Sequence, residues 1–282
     1  MTGASPVLVL REASYRYPAG AVAVDGVTLD VTPGSVVGIA GANGAGKSTL
    51  ARLLNGLLRP VAGTVVVDGL DTRHHEVHEL ARTVGLVFQD PRAQLFARTV
   101  AEELSFGPRN LGLPDPEVRE RVARVAARLG LDDVLAVSPI ELPTPRRRLV
   151  ALASVLAMEP RVLVLDEPTT GQDHHATAIV AGIVRDLRAD GVAVVYISHD
   201  MRLLAVVSDR IVVMSAGQIV AVGAPRSVFA DVGMLRAAGI LAPQVTRLGF
   251  GLPQRHGRPA VLGVEELVGE LVVARSSGEG LS

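Results

Sequence analysis

The stretch GANGAGKST, from Gly41 to Thr49, decides how this sequence is interpreted. It follows the apolar run Val36–Ala40, which is typical of a buried strand, and it precedes residues that favour a helix. This order gives the pattern G-x-x-x-x-G-K-[ST], whose backbone N–H groups curl around a polyphosphate. Lys47 can then reach the terminal phosphates and Ser48 can ligate Mg²⁺. The alternative for the motif alone is a glycine-rich turn without a ligand. The predicted phosphate-binding residues are Asn43, Gly44, Ala45, Gly46, Lys47, Ser48 and Thr49.

Two acidic residues follow a second apolar strand, because Val162–Leu165 runs into Asp166 and Glu167. A carboxylate at a strand end beside the loop can bind Mg²⁺ through a water, and a second one in the next position can polarise an attacking water. His199 follows a third apolar strand, at the edge where ligands of open α/β sheets bind. The alternatives are a solvated strand end and a structural histidine. The upstream loop favours a phosphate contact for His199.

Apolar strand patterns alternate with helical patterns along most of the chain. Three further runs read as strands: Val7–Leu10, Val27–Val31 and Thr64–Val67. Between Gln89 and Met158, prolines separate helical stretches such as Glu117–Leu129, and strand-helix alternation then returns with a helix at His174–Ala189 and a hairpin in IVVMSAGQIVAVG. Fully apolar strands alternating with helices predict an α/β fold with a largely parallel sheet covered on both faces.

The length of 282 residues predicts one large domain with a modest extension, at roughly 150 residues per domain. We predict a main domain over residues 1–230, with a helical subdomain at about 90–158. A small C-terminal extension, 231–282, is rich in Gly, Leu and Pro and contains a helix at Val264–Val273. A packing region or a dimer contact is the expected role of this extension.

The composition excludes several classes of protein. Lys and Arg total 28 against 29 Asp and Glu, a net charge of −1, which disfavours nucleic acid as a partner. No apolar run reaches the ~18 residues that cross a bilayer. The absence of cysteine removes disulfides and thiol nucleophiles. The N-terminal residues lack the pattern of a secretory signal, so a cytosolic location is expected.

The chain resembles the ATP-binding subunits of ABC transporters, and more narrowly those of energy-coupling-factor and cobalt/nickel importers. Four stretches carry the resemblance, which covers about residues 7–230: SYRYPAGAVAVDGVTLDV, LNGLLRPVAGTVVVDGLDT, VGLVFQDPRAQLFARTVAEELSFGPRNLGL and VLAMEPRVLVLDEPTTG. It implies a P-loop NTPase fold of ABC type: a mixed sheet with a parallel core, an antiparallel arm and a helical subdomain. It also implies an ATPase that uses Mg²⁺ and powers uptake of a metal ion, cobalt or nickel, or of a vitamin.

The resemblance assigns further residues and partners. It implies that Tyr17 stacks on adenine and that Gln89 lies near the metal and the water. Asp166 would be the metal-side carboxylate, Glu167 the general base, and His199 the histidine that senses the terminal phosphate. Asp173 would be an aspartate of the nucleotide site. The implied partners are a second ATPase subunit, a transmembrane coupling subunit and a substrate-binding membrane subunit, which place the chain at the cytoplasmic face of the membrane.

The sequence departs from the family at the signature L-S-G-G-Q, whose Ser hydroxyl and N–H groups clamp the phosphate bound on the other subunit. Pro143 stands in place of the serine, Thr144 and Pro145 in place of the glycines, and Arg146 in place of the glutamine. Each Pro removes an N–H donor, and the close backbone approach that Gly allows is lost. The helix should survive, with Thr144 as its N-cap and Pro145 at its first position. A second departure is Gln172, where the family has leucine.

These departures predict a heterodimer with a related ATPase that carries an intact signature. The alternative function is a catalytically impaired, regulatory ATP-binding subunit in such a heterodimer. Arg146–Arg148 could pair with phosphate, but we expect them to face solvent or a partner's acidic patch. A local cluster of histidines could indicate a metal site: His74, His75 and His78. We favour the alternative that these residues lie in an exposed loop that runs into a helix.

Overall fold

The structure, a computed structural model, describes residues 5–18, 20–251 and 260–276. The described residues form ten strands: β1 (Leu8–Arg16), β2 (Val22–Val31), β3 (Val36–Gly41), β4 (Ala62–Val67), β5 (Leu70–Asp71), β6 (Val84–Val87), β7 (Val162–Asp166), β8 (Ala193–Ile197), β9 (Arg210–Ser215) and β10 (Gln218–Gly223). They also form eleven α-helices: α1 (Lys47–Leu54), α2 (Val77–Leu80), α3 (Val100–Asn110), α4 (Asp115–Leu129), α5 (Thr144–Leu156), α6 (His174–Ala189), α7 (Met201–Val207), α8 (Pro225–Ala230), α9 (Val232–Ala237), α10 (Gln244–Phe250) and α11 (Val264–Ser276).

The larger sheet brings three of these strand ends together at one edge. Its order is β10-β9-β3-β8-β7-β6, parallel from β9 to β6, with β10 antiparallel to β9 as the predicted hairpin. Every residue of β3, β7 and β8 is buried because helices cover one face of the sheet, and α1 and the smaller sheet cover the other. The α/β prediction is confirmed. The adjacent carboxyl ends of β3, β8 and β7 form the edge that the functional residues occupy.

The smaller sheet is the predicted antiparallel arm, with strand order β2-β1-β4-β5. Val9 in β1 lies opposite Asp30 of β2 on one side and Val66 of β4 on the other. Leu8 and Leu10 are fully buried and share one hydrophobic core with α1 and one face of the larger sheet. This packing brings the residues after β1 next to the loop that follows β3.

Three helices between β6 and β7, namely α3, α4 and α5, form the helical part of the molecule and share a second core with α6 and α7. The prediction that Thr144 caps α5 is wrong. Thr144 is already the first helical residue, Pro143 occupies the N-cap, and no side chain caps this helix end. Pro145 is the second helical residue, one position later than predicted, and lies in the first turn, where an N–H would have no partner within the helix.

The chain after β10 is helical over most of its described length. The predicted helix at Val264–Val273 is present as α11, which ends at Ser276. The helices α9 and α10 were not predicted because each is short and surrounded by Gly and Pro. Arg226 joins α8 to the last segment through Ala260 O at 2.8 Å and Glu266 Oε1 at 2.6 Å. A boundary at residue 230 stays a prediction. Within the described ranges, no helix is both long and apolar enough to cross a bilayer.

Candidate functional site

An open cleft of about 450 Å³ lies between the loop after β3 and the end of the antiparallel arm. It brings together residues that are far apart in the sequence. Its walls are formed by Tyr17, Ala21, Val22, Ala23, Asn43, Gly44, Gly46, Lys47, Ser48, Thr49, Gln89 and Glu167. The predicted loop residues therefore share one cleft with two of the predicted catalytic residues. Ala45 is the exception, because its side chain is buried in the core beneath the loop.

The loop conformation requires glycine where it turns into α1. Gly46 has a φ of +99°, and a Cβ at this position would lie 2.1 Å from Ala23 O. Gly46 is also the N-cap of α1 and offers no side-chain acceptor to the first turn. The N–H groups at this helix end therefore have no side-chain cap, and an anion bound in the cleft can accept from them.

Lys47 lies beneath the loop and is 8% exposed. Its Nζ donates to Gly41 O at 2.9 Å and to Ala42 O at 3.0 Å. Burial lowers the pKa of Lys47, and the nearby carboxylates of Glu167 and Asp166 partly oppose this shift. The ammonium is thus held across the loop, at the position where a bound polyphosphate would replace the two carbonyl oxygens as its acceptor.

Asp166, at the end of β7, meets the start of α1. Its side chain is buried, and a hydrogen bond joins it to Ser48. Burial raises the pKa of Asp166, while Ser48 and Lys47 counteract the shift. The Oδ1 atom is buried without a hydrogen-bond partner in the part of the chain that the structure describes. A hydroxyl and a carboxylate oxygen with free acceptor capacity suit Mg²⁺, which prefers oxygen ligands.

Glu167 is fixed by several contacts. Oε2 accepts from Thr170 Oγ1 at 3.0 Å and lies 2.7 Å from His199 Nδ1. Its backbone N–H donates to Ile197 O at 3.0 Å, and its φ is +52°. A non-glycine residue in this left-handed region costs on the order of 1–3 kcal/mol and persists only where the surroundings hold it. Because both described carboxylate bonds end on Oε2, the second oxygen, Oε1, is available to a water.

Tyr17 and Gln89 both line the cleft. The Tyr17 hydroxyl is 3.2 Å from Thr49 Oγ1, and its ring contacts Tyr15 edge to face at 5.0 Å between centroids. Of the two tyrosines in YRY, Tyr17 is the one that lines the cleft. Gln89 is exposed and follows β6 into the same cleft.

Asp173 does not reach this cleft. Its carboxylate caps α6 by accepting from Ala176 N at 2.8 Å. Asp173 instead lines a neighbouring polar depression together with Ser198 and His199. The place of Asp173 at a nucleotide therefore stays a prediction.

The three consecutive arginines of α5 each contact the chain itself. Arg146 pairs with Asp133 at 2.7 Å. Arg147 donates to two carbonyls near its own helix start, at 2.6 and 2.9 Å. Arg148 donates to Glu167 O at 3.2 Å. The expectation that all three face solvent or a partner is therefore wrong for Arg148 and incomplete for the other two.

The histidines before and within α2 do not build a metal centre. His75 Nδ1 lies 3.4 Å from Glu79 Oε2, and Glu76 and Glu79 form a capping box for α2. Across the residues that the structure describes, no group of three or more His, Cys, Asp or Glu side chains is placed to hold a metal ion.

Two residues that contact Glu167 were missed as site residues. Thr170 lies in the turn after the acidic pair, and a hydroxyl that close in sequence to a carboxylate was the available signal. Arg148 gave no such signal, because its contact with Glu167 joins a helix to a strand end across 19 positions.

Comparison with known proteins agrees with this geometry. The family model described as ABC transporter matches residues 24–170, just over half of the chain. The energy-coupling factor transporter ATP-binding protein of Symbiobacterium thermophilum is 43% identical over 277 residues, covering 94% of this chain and 96% of that protein. The cobalt import ATP-binding protein of Rhodobacter capsulatus is 40% identical over 257 residues, covering 90% of this chain and 91% of that protein.

A solved structure extends the agreement to three dimensions. The CbiO1 protein of Clostridium perfringens, described as part of the ABC transporter complex CbiONQ, is 32% identical with a TM-score of 0.73. The match covers 87% of this chain and 98% of that one. The fold is thus that of an ABC-type P-loop ATPase. The chain belongs to the ABC transporter family, among the ATP-hydrolysing, ATP-binding subunits of the energy-coupling-factor and cobalt-import type.

Proposed function

We propose that this chain hydrolyses ATP in its own cleft and thereby drives uptake of a cobalt or nickel ion, or of a vitamin, through membrane-embedded partners. The observation that carries the proposal is the position of Glu167, whose carboxylate shares a cleft with Lys47 and is held by His199 and Thr170. The alternative, a purely regulatory ATP-binding subunit, is favoured only by the altered signature at Pro143–Arg146.

The residues divide the chemistry between them. Lys47 and the N–H groups at the start of α1 bind the phosphates, and the Tyr17 ring packs on adenine. Glu167 accepts a proton from the attacking water at Oε1, and His199 keeps the carboxylate oriented. Ser48, Asp166 and Gln89 would hold Mg²⁺. When bound there, the ion neutralises charge on the phosphate oxygens.

Steady-state hydrolysis of Mg-ATP by the purified chain, alone and with its co-purifying partners, tests the function. We expect turnover with partners, and ATP binding without comparable turnover for the chain alone. A complex whose turnover persists when the chain's own cleft is inactivated would leave only the regulatory function.

The membrane partners follow from the relatives. Names such as energy-coupling factor transporter and cobalt import protein, and a structure described as part of CbiONQ, support a transmembrane coupling subunit and a separate substrate-binding membrane subunit. We place the chain at the cytoplasmic face of the membrane, held there by these subunits, with cargo selected by the membrane subunit.

An exposed aromatic pair, formed by a residue seven positions after Gln89 and a residue of α3, is the surface that we assign to the coupling subunit. Phe96 and Phe106 are 61% and 48% exposed and contact each other edge to face at 4.7 Å. Exposed aromatic rings in contact are typical anchors for a protein partner. The pair lies where the chain leaves β6 for α3, so a segment seated on it can sense the nucleotide cleft through the loop that carries Gln89.

Phe96→Glu is expected to reduce co-purification of the transmembrane partner at least about tenfold, because a carboxylate would be buried in an apolar contact. ATP binding by the isolated chain should not change. Val220→Glu is the matched control, since Val220 is 46% exposed on β10, at the opposite edge of the sheet. Equal recovery of the partner with both variants would show that the aromatic pair is not the docking surface.

The altered signature supports a heterodimer. Pro143 and Thr144 are exposed at the start of α5, where an intact signature would present N–H donors to the nucleotide of the other subunit. A homodimer would repeat this defect at both sites, whereas a related ATPase with an intact signature would complete this chain's cleft. Native mass measurement of the active complex tests the proposal, and two copies of this chain with full activity would contradict it.

Restoring the signature with Pro143→Ser, Thr144→Gly, Pro145→Gly and Arg146→Gln is expected to raise ATP turnover of the isolated chain about tenfold. Each regained N–H donor stabilises charge on the phosphate in the transition state, and tenfold corresponds to ~1.4 kcal/mol. Arg146→Gln alone is the control, because it removes the ion pair with Asp133 and leaves both prolines. Turnover that does not rise in the restored chain would contradict this account of the signature.

A further inference from the structure

Arg148 joins the signature helix, which is α5 with the altered signature at its start, to the backbone of Glu167. Its Nη1 donates to Glu167 O at 3.2 Å, from α5 to the end of β7. On the other side of the same residue, the Glu167 N–H donates to Ile197 O. The backbone of Glu167 is thus held at both its N–H and its C=O. Its φ is +52°, a conformation that needs such support.

The guanidinium of Arg148 lies in a partly buried and incompletely hydrogen-bonded environment. The side chain is half-buried, and burial lowers the pKa of its guanidinium while the charges of Asp90 and Glu167 oppose the shift. Its Nε is buried with no hydrogen-bond partner among the described residues, and so are both amide atoms of Gln172 across the same narrow gap. Arg147 Nε is likewise buried without a partner among the described residues, so the bond to Glu167 O, and not the unpaired Nε, distinguishes Arg148.

The neighbouring arginines provide the contrast. Arg147 bonds to carbonyls at its own helix start, and Arg146 pairs with an exposed carboxylate. Of these three residues, Arg148 is the one whose bond ends on the catalytic glutamate.

We propose that Arg148 is a positioning residue for Glu167. Arg148 anchors the backbone of Glu167 to the signature helix so that Oε1 of Glu167 faces the attacking water. This inference rests on the proposed function, because it requires hydrolysis in this chain's own cleft. Arg148 is not among the residues that line the nucleotide cleft. Its loss should therefore change the rate of the chemical step and leave nucleotide affinity unaltered.

The test is ATP hydrolysis by the intact complex carrying Arg148→Met, which keeps the apolar stem and removes the guanidinium. We expect kcat to fall about tenfold with KM for ATP changed less than twofold, and Arg148→Lys to recover at least threefold of this loss. Arg147→Met is the matched control and should keep kcat within twofold of wild type. Equal kcat losses in the two Met variants would overturn the proposal, and so would a wild-type kcat in Arg148→Met.

A double variant separates positioning from general destabilisation. If Arg148 acts through Glu167, then adding Arg148→Met to Glu167→Gln should leave the residual single-turnover rate unchanged within twofold. A further drop of about tenfold would indicate a structural role and overturn the proposal. Full turnover in Glu167→Gln itself would instead defeat the proposed function, whereas loss in Glu167→Gln with wild-type kcat in Arg148→Met defeats this inference alone.

Discussion

Glu167→Gln is expected to lower ATP turnover of the complex by about 10²–10⁴-fold, the usual contribution of a general base. Affinity for ATP should stay within a few-fold of wild type, because Lys47 and the N–H groups at the start of α1, which bind the phosphates, form no described hydrogen bond with the carboxylate. The amide can still accept from Thr170 and His199, so the local geometry persists while the proton acceptor is lost. Steady-state hydrolysis and equilibrium nucleotide binding, measured on the same preparation, give the two quantities.

Glu120→Gln is a suitable control, since Glu120 lies on the exposed face of α4 and pairs there with Arg124 at 3.4 Å. Its turnover should equal that of wild type. A complex with Glu167→Gln that hydrolyses ATP at the wild-type rate would mean that the partner subunit performs all turnover. The chain would then be the regulatory ATP-binding subunit.

The contacts of His199 add a graded expectation to this result. His199 Nδ1 bonds to the same oxygen, Oε2, that accepts from Thr170. Two hydrogen bonds to one oxygen orient the carboxylate. Losing either bond should therefore lower ATP turnover less than losing the carboxylate of Glu167 itself. Thr170 therefore belongs to the site, because the turn after the acidic pair places its hydroxyl at the Glu167 carboxylate.

Local sequence patterns predicted the cleft well because each strand end carries its own signal. The glycine-rich loop, the acidic pair and His199 each follow an unbroken apolar run, and parallel strands place such ends at one edge. Contacts across the fold were beyond this reasoning. The bond from Arg148 to Glu167 O depends on how α5 packs against β7, which no spacing within either segment encodes.

One error in the sequence-based expectations has a physical cause. Thr144 was predicted as the N-cap of α5 from its hydroxyl, but Pro143 precedes a residue already in the helix and takes that position. The place of Asp173 at a nucleotide stays a prediction, since its carboxylate caps α6 and the residue lines a neighbouring depression beside His199. We propose that Asp173 reaches a nucleotide site only across the interface with a second ATPase subunit.

The signature helix separates stability from function in this chain. Two prolines at the start of α5 leave the helix intact, because N–H groups in a first turn have no partners within the helix. The same N–H groups are the ones that a phosphate clamp needs. The chain can therefore keep its fold while losing one half of a composite site, which is the asymmetry expected of one subunit in a heterodimer.

Lys47→Ala is expected to weaken ATP binding by about 10²-fold. This factor corresponds to about 2.7 kcal/mol, within the range of about 1.5–3 kcal/mol for one hydrogen bond to a charged group. It is the surplus of the bonds that Nζ forms with the charged phosphates over those that it gives up to Gly41 O and Ala42 O. Equilibrium binding of ATP measures the effect. Arg52→Ala is the control, because Arg52 is an exposed cation on the same helix.

Lys47 is the only lysine in the sequence, which allows its role to be observed directly. The ¹³Cε signal of labelled lysine then reports one side chain, and burial predicts that its ammonium titrates below the usual pH range of lysine. Bound ATP should move that titration back upward, because phosphate charge favours the protonated form. A lysine signal that ATP leaves unchanged would mean that Nζ keeps its carbonyl partners. The loop would then bind nucleotide through backbone N–H groups alone, and Lys47→Ala would weaken ATP binding little.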